Sequence, residues 1–392
     1  MADFAWRCAT LDAPWRPRDG AGLLSFEGSM YLLGGWHPCE DGDQPFLGTN
    51  WTVDSEVWRT QDGVAWECIT TEAAWPGRHT AGYCVHDGKM WVLGGDIYCN
   101  TDDVWCSSDG VEWTCMCEAA PWGPGRVTHH TVVFEGAIYV IGGQTTPQFR
   151  ANTPNVGKYK TAPPVDEAFF SDVWRSVDGA SWECLTKDAP WGPRALIGGS
   201  AVKDGYIWLL GGGLYDTPGR PARDFRNDVW RSRDGVGWEL VLAEAPWAAR
   251  QYHDCAVFDN KLWVCEGYGL ERGSSMTVFY GAGRQNKWHL ITDSGGGENK
   301  EEHWPSLDEL QTQGESLANR SDVWYSEDGV EWHELSGTPW LPRHAASLCA
   351  HRGELWLMAG NAVDPKDGSW TVSDAWALAR RPTAAATGRH KL

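Results

Sequence analysis

The sequence predicts an all-β ring of six four-stranded antiparallel units closed on itself, and three observations predict it. A unit of one pattern recurs along almost the whole chain. Each copy holds four short apolar runs separated by tight-turn dipeptides. The copy cut short near the C-terminus is completed by a matching fragment at the N-terminus.

The unit is legible in "SDVWRSVDGASWECLTKDAPWGPR" (171 to 194), followed by an apolar run that ends in Gly-Gly. Related stretches start at Ser55 ("SEVWRTQDGVAWEC"), Asp102 ("DDVWCSSDGVEWTC"), Asn227 ("NDVWRSRDGVGWEL") and Ser321 ("SDVWYSEDGVEWHEL"). A sixth start, "SDAWALA" at Ser373, stops short, and its second half is "FAWRCATLDAPWRPR" (4 to 18). Joining the two removes the exposed strand edges that an open array would leave.

Within a unit, "DVWRSVDGASWEC" gives two strands around an Asp-Gly turn, and "RHTAGYCVHDGKMWVLGG" gives two more around another. Runs such as "MWVLGG" and "YIWLLGG" are apolar on both faces, which suits sheets sandwiched between neighbouring sheets. One domain is therefore expected over residues 1–381, with residues 3–10 closing the sixth unit, 269–320 forming a long insertion and 382–392 a tail.

The Gly-Gly ending, the "DVW" start, the Trp after the turn and the Arg before the next strand together resemble the kelch repeats of six-bladed β-propellers, over nearly the whole chain. The "SVDGASW" hairpin is also similar to the Asp-box turns of sialidases. It lacks the residue those turns hold between Asp and Gly, so the likeness is to a turn rather than to an activity. The kelch resemblance implies either a recognition module for a peptide or protein, or an enzyme. Six-bladed kelch propellers include sialic-acid epimerases and the iron-dependent specifier proteins of glucosinolate breakdown. The iron motif of the latter, Glu-x3-Asp-x3-His, is absent here, which leaves an epimerase or lyase as the enzymatic reading.

Composition narrows the partners. The chain of 392 residues carries a formal charge of −20 and no run of Lys or Arg, which argues against nucleic acid and anionic membranes. The N-terminus lacks the basic head and apolar stretch of a signal peptide, and no window approaches the ~18 apolar residues of a membrane span. A soluble cytoplasmic monomer is expected, although the terminal His-Lys-Leu resembles a peroxisomal address of the Ser-Lys-Leu kind. Several of the 12 cysteines, Cys68 and Cys184 among them, fall at a repeat position and read as buried filler rather than disulfides. No CxxC pair, Walker loop or dinucleotide fingerprint is present, and no cofactor is assigned.

Of 27 tryptophans, 18 occupy three repeat positions and are expected to fill gaps between units. Trp36, Trp288 and Trp304 obey no repeat and are candidate contact residues, as are Trp51 and Trp370.

The turns inside strand pairs are all short and share one face of the disc. The opposite face receives segments of variable length, 36 to 54, 144 to 170, 213 to 226 and 269 to 320, and function is expected there. That face should also carry Arg18, Arg78, Arg126, Arg194, Arg250 and Arg343, one per unit. Two readings stand together: a ring that binds a small anionic ligand by bidentate hydrogen bonds, or a packing device in which each arginine pairs with the Asp of a "DVW".

The fifth unit breaks the pattern most. "RQYHDCAVF" brings Tyr252, His253 and Asp254 to the innermost strand, and "KLWVCEGY" puts Glu266 where sister units have glycine, with Tyr268 following. A carboxyl in a semi-enclosed mouth is suited to acid or base work, with His253 and Tyr252 beside it. The structural alternative is a glutamate paired to an arginine, and for His253 and His129 a backbone hydrogen bond. Glu266 is expected to face the loop side of the central opening, with a partner from the fifth unit or the insertion. In the insertion, Glu301, Glu302, His303 and Asp308 have oxygen and nitrogen donors suited to a hard divalent ion, but acidic loop residues are commonly only solvated, and no metal site is assigned.

Overall fold

The structure is a computed structural model, and it describes residues 4–39, 51–95, 101–145, 168–195, 199–214, 225–272, 315–362 and 371–381. Six four-stranded antiparallel sheets surround one axis. Blade one runs Gly22–Phe26, Ser29–Leu33, Val57–Thr60, Trp66–Thr70 from the axis outward, and blade two Gly82–His86, Lys89–Gly95, Thr101–Ser107, Thr114–Cys117. Blade three comprises His130–Phe134, Ala137–Ile141, Val173–Ser176 and Glu183–Thr186, and blade four Ser200–Lys203, Tyr206–Gly213, Phe225–Ser232 and Trp238–Leu242. Blade five comprises Asp254–Phe258, Lys261–Cys265, Val323–Ser326 and Trp332–Glu334. The chain is thus a six-bladed β-propeller, as the repeat predicts. No helix among the described residues is long and apolar enough to cross a membrane.

Blade six joins both ends of the chain. Its three inner strands are Ser347–His351, Glu354–Met358 and Ala375–Arg380, and its outer strand is Phe4–Thr10, in register from Phe4 opposite Arg380 to Cys8 opposite Trp376. Pairing of Ala375–Arg380 on both sides leaves no open edge at the seam.

The hydrophobic core is divided into layers, one at each joint between blades. Leu33, Met90 and Val92 meet between blades one and two, and Cys265, Val323, Leu355 and Leu357 between five and six. The tryptophans of the "APW" segments enter these layers and meet the tryptophan after each Asp-Gly turn edge to face: Trp15 with Trp66, Trp75 with Trp113, Trp122 with Trp182, Trp191 with Trp238 and Trp247 with Trp332. The sixth pair is Trp340 with Trp6 of the closing strand, ring centroids 4.5 Å apart. Each pair adds about 0.5–1.5 kcal/mol beyond the area it buries.

The outer turns are held by side chains standing in for backbone partners. In blade three, Asp178 accepts the N–H groups of Ala180 and Ser181, Ser176 Oγ accepts that of Gly179, and Trp182 donates its indole N–H to the Gly179 carbonyl. Gly179 has φ +70°, and a Cβ there would lie 2.1 Å from the Trp91 ring of the preceding blade, so only glycine fits.

On the opposite face three of the long segments begin as paired strands rather than as irregular loops: Trp36–Pro38 with Trp51–Val53, Gln144–Thr145 with Ala168–Phe169, and Tyr268–Arg272 with Glu315–Asn319. Trp288, Trp304, Trp370, the acidic cluster of 301 to 308 and the C-terminal His-Lys-Leu lie outside the described residues.

Candidate functional site

The arginine ring is built into the blades. Each guanidinium reaches the carbonyl of the residue at the first Gly-Gly position and a carboxylate just before the third strand of the same blade or, in blades two and four, within it. Arg126 donates to Gly142 O at 3.0 Å and to Asp172 at 2.5 and 3.0 Å; Arg250 donates to Glu266 O at 2.8 Å and to Asp322 at 2.7 and 2.6 Å. Arg78 pairs with Asp103, Arg194 with Asp228, Arg343 with Asp374, and Arg18 with Asp54 and Glu56. The same carboxylates accept the indole N–H of the "DVW" tryptophan, as Asp172 does from Trp174. Burial opposes ionisation of Asp103, Asp228 and Asp322, but the adjacent arginine outweighs it and holds all three below the usual carboxylate range. All six arginines are buried. Of the two readings the sequence leaves open, this geometry is that of the packing device, and it does not turn the guanidinium groups into the opening.

Glu266 keeps the backbone shape of the glycines it replaces, with φ +55° against +55° at Gly94 and +60° at Gly211. Its side chain is fully buried and crosses to blade six, where Oε1 accepts the N–H of Ala346 at 3.3 Å. The hydrogen-bond partner among the described residues is main chain of the next blade rather than a group of blade five, whose Arg250 acts on the carboxyl only through its charge; residues 273–314 of the insertion lie outside the described residues. The reason lies in the joints. Between blades two and three, a Cβ on Gly94 would lie 2.9 Å from the His129 ring; between blades five and six, Ala346 stands where His129 stands, three residues after the arginine, and leaves room for the glutamate. Oε2 is buried without a hydrogen-bond partner among the described residues. Burial first, then the neighbouring Asp254, push the Glu266 carboxyl well above its ordinary range, against the pull of Arg343 and Arg250.

His253 donates Nε2–H to the Leu210 carbonyl of blade four at 2.8 Å, and burial, reinforced by Arg250, lowers it to about 3, so it is a neutral interblade link. Tyr252 has φ +54°, but so do Thr80 and Thr128 at the same place in their blades, so the strain belongs to the repeat. Tyr252, Tyr268 and His344 pack ring on ring at 5.2–5.5 Å, and Gln251 donates to the Tyr268 hydroxyl at 2.7 Å. Trp36 meets His79 edge to face at 5.3 Å.

A polar chain that the sequence pattern did not reveal links these residues around the mouth. His344 Nδ1–H donates to Asn319 Oδ1 at 2.7 Å, Asn319 donates to the Asn361 carbonyl, Asn361 donates to Asp19 at 3.0 Å, and Asp19 stands 3.3 Å from His79 Nε2. The position directly after each arginine reads Asp19, His79, Val127, Ala195, Gln251 and His344. That variation within a strict repeat was the available signal.

Below the mouth, the loop-side ends of the six inner strands enclose a recess of about 190 Å³ on the axis. Its wall includes Gly22, Gly82, His130, Thr131, Ser200, Asp254 and Ser347. Side chains here run tangentially to the next blade. Gly22 and Gly82 leave room for Tyr83 and Thr131, which a Cβ would meet at 2.3 and 2.0 Å. His130 Nε2 accepts the Gly199 N–H at 3.1 Å, which puts its proton on Nδ1, hydrogen-bonded to Ser200 Oγ at 2.7 Å. In that tautomer the imidazole cannot take the serine proton, so the pair is not an activated nucleophile. Asp254 accepts from Cys255 N at 2.8 Å and from Leu348 N of blade six at 2.7 Å. Burial pushes its carboxyl up to about 7 in spite of both donors. Of the fifth-unit residues named from the sequence, Asp254, singled out there only as a ligand contact, lines the recess, whereas the acid–base candidates Glu266 and His253 sit in joints behind it. Nearby Cys255, Cys265 and Cys349 are free thiols raised by burial and therefore inert.

No family model and no curated protein matches the chain. A solved structure described as "Structure of YjhT" is similar to it with a TM-score of 0.60 and 15% sequence identity, covering 94% of this chain and 96% of that one. Its likeness is one of fold, the six-bladed propeller; the kelch resemblance rests on the repeat motifs.

Proposed function

We propose that the protein is a recognition propeller that takes a small polar ligand, or one side chain of a peptide, into the loop-side end of its axial channel. The observation that carries this reading is the recess itself. It holds a few waters' worth of volume, at roughly 30 Å³ each, it opens toward the face that bears the long segments, and its wall combines hydroxyls, a carboxyl and edge-strand backbone from all six blades. Thermal-shift screening of small polar molecules and short peptides tests it, using the wild type and Thr131→Ile, which adds bulk to the recess wall. Stabilisation by a ligand in the wild type that Thr131→Ile abolishes is expected. A ligand that stabilises both proteins equally would place binding elsewhere.

Acid–base catalysis in the same recess, of the epimerase or lyase type, is the second reading, and the position of Asp254 favours it. A carboxyl near 7 holds and releases a proton at neutral pH. Incubating the protein in D2O with sugars, sugar acids and amino sugars, and following deuterium incorporation by NMR, checks this. Exchange that Asp254→Asn removes is the expected outcome, and no exchange with any of them speaks for binding alone.

A further inference from the structure

Resting on the recess as the binding site, we propose that its ligand is a small ammonium-bearing molecule, a primary amine seated with its nitrogen against Asp254. Among the described residues that line the recess, Asp254 is the one side chain able to carry a charge at neutral pH. His130 is held neutral by burial and by its histidine neighbours, and His129 by burial and Arg126. The six arginines that might have welcomed an anion each hold a carboxylate of their own blade. An anionic group entering here would lose its water, find no counter-cation in the described wall and face Asp254.

An ammonium meets the opposite situation. It has three donors and no acceptor. The recess offers the Asp254 carboxylate and the oxygens of the Ser200 and Ser347 hydroxyls, which give or take one hydrogen bond each within the protein and can accept another. The inner strands are sheet edges, so carbonyls that no neighbouring strand uses also face the axis. The whole chain's charge of −20 raises the local concentration of cations over that of anions.

The test compares probes matched in size and opposite in charge: ethylammonium and ethanolamine against acetate and glycolate, by saturation-transfer NMR and thermal shift at pH 8. The amines are expected to bind the wild type, and binding is expected to weaken at least tenfold in Asp254→Asn and in Thr131→Ile. The second variant keeps the test decisive if loss of the carboxyl impairs folding. Acetate binding that Thr131→Ile blocks would overturn the charge inference and leave the recess standing. Amine binding unchanged in both variants would overturn the seat at Asp254. Failure of all four probes to bind the wild type would remove this inference and, with the wider ligand screen also negative, the recognition reading with it.

Discussion

Glu266 of blade five and Ala346 of blade six, 80 residues apart in the chain, form one joint: the carboxyl of the first accepts the main-chain N–H of the second at 3.3 Å, in space that a histidine ring fills at the joint of Gly94 and His129. A long side chain on one blade is matched by a short one on the next. The two positions are therefore expected to be energetically coupled.

Glu266→Gly relieves a left-handed backbone that costs a non-glycine residue about 1–2 kcal/mol, but it empties the joint and leaves the Ala346 N–H unpaired, at about 1–3 kcal/mol. A net loss of stability is expected. Ala346→His alone clashes with the glutamate, whereas the double variant rebuilds the sister joint and recovers most of the loss. Urea unfolding of the four proteins reads the coupling, and single effects that add to within about 0.5 kcal/mol would show that the joint is not a unit.

Asp254 sets a pH dependence of defined sign. Its folded pKa, about 7, lies above its ordinary 3.8, so the stability linked to its proton is complete below about 4 and is lost as pH rises through 7. Burial acts oppositely on His129 and His253, lowered to about 3, and on His344, lowered to about 4: their contribution is present above the ordinary 6.5 and is lost as pH falls. Asp254→Asn removes only the first effect. Between pH 5 and 8 the variant should gain on the wild type by up to a few kcal/mol, because each tenfold displacement of the protonation equilibrium is worth about 1.4 kcal/mol. Urea midpoints measure the gain. A constant difference across that range would contradict the assignment.

Arg126→Ala should cost about 3–5 kcal/mol, because Asp172 is left buried without its counter-ion. Ligand binding by the fraction that remains folded should be unchanged. A stable variant with lost binding would instead return the arginine ring to a ligand role.

Deleting residues 1–10 removes the outer strand of blade six and the Trp6 partner of Trp340. It exposes the edge of Ala375–Arg380 and should lower the melting temperature by well over ten degrees or make the protein insoluble. Melting within a degree or two of the full chain would mean that the seam contributes little.

The architecture was legible in the sequence because its determinants are local and repeated. An Asp-Gly turn, alternating apolar strands and a tryptophan at a constant offset specify a blade from about fifty neighbouring residues, and the half-unit at each end of the chain announced the seam. The arginine and aspartate of each clamp were legible as residue types, but whether the guanidinium faces its own blade or the opening is a matter of orientation, which only packed strands decide. The same holds for blade five. The sequence marked Glu266 and Asp254 as departures from the repeat, yet their environment comes from Ala346 and Leu348, 80 and 94 residues away. Desolvation, which raises both carboxyls, is a property of the space two blades enclose, and no local pattern encodes it. His344, Asn319 and Asn361 went unmarked for the same reason: each is an ordinary polar residue in its own segment, and they become a chain of hydrogen bonds only when the ring brings three distant stretches to one mouth.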